Sequence, residues 1–175
     1  MSEGREFQPL QAVLITEAFV AEGVEFLFLG KGGAILLGFP GITQDVDVFV
    51  RRTEQNSRRI IAAMSRLGFP MSEEATSEIL RGKDFVQVKT GPFDLDLIFA
   101  PDGIESFEQA SARRILKDGK FPVASLDDII ASKRAAGREK DKNDLPLLED
   151  FKIAYERLHP KPLKNAWEID RQKPL

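Results

Sequence analysis

The sequence predicts an α+β domain: a mixed β-sheet with helices packed on it and a helical C-terminal region. Three features carry that expectation. Strand-length apolar runs alternate with helical periodicities across residues 10–67. Two alternating runs, 84–89 and 93–99, are separated by little more than Gly91-Pro92, the spacing of a hairpin. Beyond Ser125 the chain reads as helix as far as Leu158. The 175 residues, 42% of them hydrophobic, suffice for one domain with one core, at about 100–200 residues per domain.

Leu10, Val13, Leu14, Ala18 and Ala21 recur at three- and four-residue steps, so residues 10–22 form an amphipathic helix that Gly23 ends. Val24 to Leu29 is a buried-strand run. Gly30-Lys31-Gly32-Gly33 follows as a turn, then Ala34 to Leu37 as a short helix closed by Gly38. The turn from Phe39 to Thr43 leads into Asp45-Val46-Asp47-Val48-Phe49-Val50, whose period of two marks a strand. A helix returns from about Glu54 to Leu67, with Ile60, Ile61, Met64 and Leu67 inward. Residues 70–82 read ambiguously, with a strand and turn around Ile79-Leu80 as the working assignment. After the 84–99 hairpin come a helix from about Ile104 to Leu116 and a short extended piece, Phe121 to Ala124. A helix capped by Ser125 runs to about Ala136, and a last one covers roughly 142–158. The expected organisation is one domain over 1–158, with a core of 24–125 and helices over 126–158, and a C-terminal arm over 159–175.

No run approaches the ~18 consecutive apolar residues of a membrane span, so no membrane partner is expected. The polar start, Met1 to Glu6, has no apolar signal region. The absence of cysteine excludes disulfides, zinc ribbons and thiol catalysis, and makes a reducing cytoplasm the expected setting. The single histidine, His159, excludes a three-histidine metal site, and beside Pro160 at a helix end it reads as structural. A net charge of −3 speaks against a whole-surface nucleic-acid binder. What remains is carboxylate chemistry.

Asp45 and Asp47 stand two apart in an extended run, so both leave one face of the strand, ~6.6 Å apart along it. Val46, Val48 and Val50 take the core face. Asp94 and Asp96 repeat the arrangement opposite Leu95 and Leu97. If the two strands are neighbours, three or four carboxylates converge. Converging carboxylates repel unless a cation neutralises them, and oxygen-only ligand sets suit Mg²⁺ or Mn²⁺. Two such ions ~3.5–4 Å apart clamp in-line phosphoryl or nucleotidyl transfer. The plainer alternative, two edge strands whose aspartates face water, is outweighed by the repetition of the pair within apolar runs. In Gly30-Lys31-Gly32-Gly33 the glycines let backbone approach a phosphate, the following helix offers N–H groups, and Lys31 adds charge for a triphosphate. A tight strand-to-helix connection needing small residues is the alternative there.

The run Leu29-Gly30-Lys31-Gly32-Gly33-Ala34 through Thr43-Gln44-Asp45-Val46-Asp47-Val48 resembles the signature of the DNA polymerase β-like nucleotidyltransferase superfamily. That signature is a strand, a small-residue turn, a helix and a strand with two aspartates between apolar residues, plus a third acidic residue on a later strand. In length and order the chain is similar to minimal AbiEii-like and MNT-like members, which are toxin–antitoxin components. The likeness spans roughly 24–150. It implies a nucleotidyltransferase fold that moves an NMP group from an NTP to a hydroxyl acceptor, whether tRNA, protein or small molecule. It also implies Mg²⁺ or Mn²⁺ as cofactor and a cognate toxin or antitoxin as partner. Asp45, Asp47 and Asp96 would be catalytic and hold the metal, with Asp94 as the alternate third ligand. Residues 126–133, followed by 137–144, are similar to the family's C-terminal helical region, where a lysine, a glycine-arginine turn and paired aspartates recur. The implied substrate-binding set is Gly30, Lys31, Gly32, Gly33, Thr43, Lys133 and Arg138.

Lys31 departs from the pattern: with Gly30 in the first place it stands where the family has a second small residue, and with Gly32-Gly33 as the pair the turn is longer by two. This keeps a second reading open: a nucleotide- or partner-binding module on the same fold, without turnover. The basic groups Arg51, Arg52, Arg58, Arg59 and Lys133, Arg134, Arg138, Lys140, Lys142 read as solvated helix faces or as a means of steering an acidic acceptor such as RNA. Trp167 reads as an anchor of the C-terminal arm to its own domain.

Overall fold

The computed structural model describes residues 6–160. Along them run α1 (Pro9–Glu22), β1 (Phe26–Leu29), α2 (Gly30–Leu36), β2 (Val46–Val50), α3 (Glu54–Arg66), α4 (Glu73–Arg81) and β3 (Phe85–Val88). Then come β4 (Leu95–Ile98), α5 (Phe107–Ala112), β5 (Ile115–Lys117), β6 (Phe121–Val123), α6 (Leu126–Ala136) and α7 (Glu139–Leu158). The six strands form one sheet in the order β3-β4-β2-β1-β6-β5. Its pairings are mixed: β2 with β4 and β1 with β6 are parallel, the others antiparallel. The α+β class with a mixed sheet is thus the observed one.

Apolar burial holds the sheet in the middle. All four residues of β1 are buried. Phe19 of α1 meets Phe26 edge to face at 5.0 Å, and Phe26 meets Phe28 at 5.6 Å. Val46, Val48 and Val50 are buried as their alternation predicts. Helix α1 packs on α3 and α3 on α4, while α2 meets α6, which lies along α7. Among the described residues no helix is long and apolar enough to cross a membrane.

Four elements differ from expectation, each for a local or pairing reason. Helix α2 begins at Gly30, not Ala34, because Gly30 adopts φ +63°, a backbone that glycine takes at little cost and that turns β1 straight into helix. Residues 73–81 are helix, not strand. Ser72 caps it by accepting from the Ala75 N–H at 3.0 Å, Glu73 and Glu74 favour its first turn, and Gly82 ends it. The helix expected over 104–116 stops at Ala112; Ile115–Lys117 instead pairs with β6 as an edge strand. Helix α7 starts at Glu139 rather than Lys142 and carries Pro146 within it. The arm expected beyond His159, with Trp167, lies outside the described residues apart from Pro160.

Candidate active site

Parallel pairing of β2 with β4 sets Asp47 opposite Asp96. On the other side of β2, Leu29 at the end of β1 stands opposite Asp47, so the next residue, Gly30, lies against the Asp47 carboxylate. A Cβ at Gly30 would sit 2.2 Å from Asp47 Oδ2, closer than any side chain tolerates. Glycine is therefore required there twice over, by its positive φ and by this contact.

Asp96 is only 4% exposed, and its Oδ1 is buried without a hydrogen-bond partner. Burial raises its carboxyl to about 7, helped by the charges of Asp47 and Asp45. Burial also raises Asp47 to about 6, against the pull of Lys133. The two facing carboxyls cannot both ionise cheaply, so near neutral pH they share a proton unless a cation arrives. Asp45 is half-buried just before β2, close enough for its charge to act on both. Asp94 stands just before β4, where its backbone carbonyl accepts from the Val46 N–H at 3.2 Å, and it is not among the residues that line the cavity above the pair. Among the described residues no three acidic, histidine or cysteine side chains form a ready-made metal group. What is present is a facing pair with a third carboxylate beside it.

That cavity has a volume of about 410 Å³. Lys31, Lys133, Arg138 and Lys140 give it a cationic side. Lys133 is 8% exposed, with Nζ 3.3 Å from Asp141 Oδ1 and 3.9 Å from Asp144 Oδ2. Lys31 Nζ lies 3.2 Å from Asp144 Oδ1. Arg138 donates through Nε to Asp141 Oδ2 at 2.7 Å. Asp141 is fully buried; burial works against its charge, yet Arg138 and Lys133 hold its carboxyl below the ordinary value. This one carboxylate thus ties the end of α6 to the start of α7 and aims two cations at the cavity.

Thr43 lines the cavity, but of the glycine segment only Lys31 does. Gly32 and Gly33 are buried. A Cβ at Gly33 would come within 3.1 Å of the Phe28 carbonyl oxygen, so its small size serves the close packing of α2 on β1. Arg51, Arg52, Arg58 and Arg59 are absent from the lining. They pair respectively with Glu25 at 2.8 Å, with Asp84, with Glu54 at 2.7 Å and with the Gly23 carbonyl at 3.1 Å. His159 stacks on Tyr155, centroids 4.1 Å apart, at the far end of α7. Sequence reasoning gave no role to Phe85, Gln87 and Ile98, which line the cavity together with Ile42, Asn143 and Asp144. The alternation of the 84–99 hairpin was the signal that could have placed them.

No family model matches the chain, and no curated protein matches it. Among solved structures it is similar to one from Thermotoga maritima named a "putative nucleotidyltransferase". The identity is 16%, over 87% of this chain and 93% of that one, with a TM-score of 0.45. Nothing about the site rests on that likeness.

Proposed function

We propose that the protein is a metal-dependent nucleotidyltransferase, moving an NMP group from an NTP such as ATP to a hydroxyl acceptor. The observation that carries this is the facing pair Asp47–Asp96, with an unpartnered buried oxygen, beneath a cavity whose side is cationic. An oxygen-only carboxylate set with an orphaned Oδ1 fits Mg²⁺ or Mn²⁺, and Asp45, Asp47 and Asp96 are the residues that would hold it. Bound there, the metal supplies charge neutralisation at the α-phosphate and orientation of the reacting oxygens. Lys31, Lys133 and Arg138 bind the triphosphate, and Thr43 borders it. Gly30, Gly32 and Gly33 act by shape, bringing Lys31 to the cavity and leaving room for Asp47. The acceptor oxygen bonds to the α-phosphorus as the bond to the α,β-bridging oxygen breaks. Pyrophosphate leaves with the electron pair toward the cations, and one of the carboxylates takes the hydroxyl proton. The motif resemblance supports the same chemistry and extends it to a toxin–antitoxin pair in the cytoplasm, with a cognate protein as partner.

The test is thermal melting with Mg²⁺ and each NTP, followed by pyrophosphate release with RNA, protein and small hydroxyl acceptors supplied. A metal-dependent rise in melting temperature with one or more NTPs, and release that Asp47→Asn abolishes, supports the proposal. Binding without release over all acceptors supports the non-catalytic module instead. No metal- or NTP-dependent shift overturns both.

A further inference from the structure

The polar row of the site does not end at Asp96. In the antiparallel pairing of β3 with β4, Gln87 stands opposite Asp96 and Phe85 opposite Ile98. Side chains two apart on a strand share a face. Strands β2, β4 and β3 therefore set two adjoining rows on one face: Asp47, Asp96 and Gln87, and beside them Phe49, Ile98 and Phe85. Phe107 closes off Phe49 edge to face at 5.1 Å, whereas Ile98 and Phe85 line the cavity. Phe85 is 41% exposed on the outermost strand at that edge of the sheet. A large ring stands open beside the carboxylates.

The cations that line the cavity stand on one side of it, with Asp144 among them. Lys31 comes from α2, Lys133 from α6, and Arg138 and Lys140 from the start of α7. From Asp96 outward the lining is an amide, a ring and a branched aliphatic chain. Lys89, just past β3, acts on Asp96 by its charge but is not in the lining. In phosphoryl-type transfer the attacking and leaving oxygens lie roughly in line through phosphorus. If pyrophosphate departs toward the cations, the acceptor oxygen must arrive from the opposite side of the carboxylates, which is the side of Gln87, Phe85 and Ile98.

We infer that this wall is the acceptor subsite and that it takes a small, uncharged hydroxyl compound bearing a flat ring. The ring lies on Phe85 and Ile98, and the Gln87 carboxamide meets a polar edge of it. The inference rests on the nucleotidyl-transfer reading above. The acceptor oxygen forms its bond to the α-phosphorus, the bond to the bridging oxygen breaks, pyrophosphate carries off the electron pair, and the hydroxyl proton passes to the carboxylate row. A polyanionic acceptor would approach Asp45, Asp47 and Asp96 along a wall that offers it no lining cation. The volume of about 410 Å³ also falls within the roughly 300–1,000 Å³ of small-molecule sites.

The experiment is calorimetry on the full chain, saturated with Mg²⁺ and a non-hydrolysable ATP analogue. Adenosine and N-acetyltyrosinamide serve as ring-bearing hydroxyl probes and glycerol as the ring-free control, with wild type, Phe85→Ala and Gln87→Ala compared. Both side chains are exposed, so the variants keep the fold. The expected result is tenfold or tighter binding of a ring probe over glycerol, weakened at least fivefold by Phe85→Ala, with the affinity for the ATP analogue unchanged. Ring probes that bind no better than glycerol, or that ignore Phe85→Ala while the analogue still binds, overturn the subsite alone. Weakening of the ATP analogue by Phe85→Ala places the nucleobase on this wall and overturns the acceptor assignment. A wild type that binds no ATP analogue overturns the transfer reading, and the acceptor role with it.

Discussion

Asp96 carries the largest unmet demand in the site, because its carboxyl is buried, faces another and has an oxygen without a partner. Its carboxyl rises from an ordinary 3.8 to about 7 in the folded chain. Between those values the folded protein holds a proton that the unfolded chain has released. This contribution to stability is therefore fully present in acid below 3.8 and is lost as pH climbs through about 7. Asp96→Asn removes that loss, because a carboxamide does not ionise. In metal-free buffer the variant should match wild type near pH 4 and exceed it at pH 8 by on the order of 1–3 kcal/mol in urea unfolding. A constant difference across that range would mean that Asp96 is not the titrating group. Gly30 makes the opposite prediction. Gly30→Ala puts a methyl group on Asp47 and a side chain at positive φ, so unfolding free energy should fall by about 1–3 kcal/mol. The equivalent change at Gly119, whose Cβ would meet nothing within 4 Å, isolates the backbone part.

At the scale of elements, α6 and α7 matter to the site because Asp141 ties them together. Its carboxylate is fully buried and satisfies both Lys133 and Arg138. Removing one partner of a buried ion pair typically costs about 3–5 kcal/mol, since the other charge is left uncompensated. Asp141→Asn should lower stability by about that order and also weaken Mg²⁺–ATP binding, read by calorimetry below the melting point. Asp144 is partly exposed and bridges Lys31 and Lys133 more loosely. Asp144→Asn should cost about 1 kcal/mol or less. Equal losses for the two variants would show that α7 is held by something other than this pair. Among the elements themselves, those with strong local signals were legible. The period-two strands β2 and β4 and the Ser125-capped α6 formed where expected. Helix α4 read ambiguously, with Ile79-Leu80 suggesting a strand, although its Ser72 cap and acidic first turn are local signals of a helix. Strand β5 was not legible, because only its partner β6 makes residues 115–117 extended.

For the whole molecule, the sheet order is what makes a site of two separate motifs. A ligand that binds the folded state alone stabilises it by about 2.7 kcal/mol at a hundred times its dissociation constant. Mg²⁺ with ATP should therefore raise the melting temperature of wild type, EDTA should reverse the rise, and Asp47→Asn should abolish it. A shift that survives Asp47→Asn would put the metal elsewhere.

The sequence by itself determined that Asp47 and Asp96 ride on strands beside apolar residues, with Asp45 and Asp94 just ahead of them, since alternation is a local property of an extended backbone. It determined the glycine that follows β1 for the same reason, as a residue suited to a sharp local turn. Only the tertiary structure decided that β2 and β4 are neighbours, parallel and in the register that sets Asp47 against Asp96. It alone decided that Asp141 is buried beneath Lys133 and Arg138, and that Gln87 and Phe85 extend the wall. Strand register and helix docking minimise the free energy of residues far apart in the chain, so no window along the sequence contains both partners.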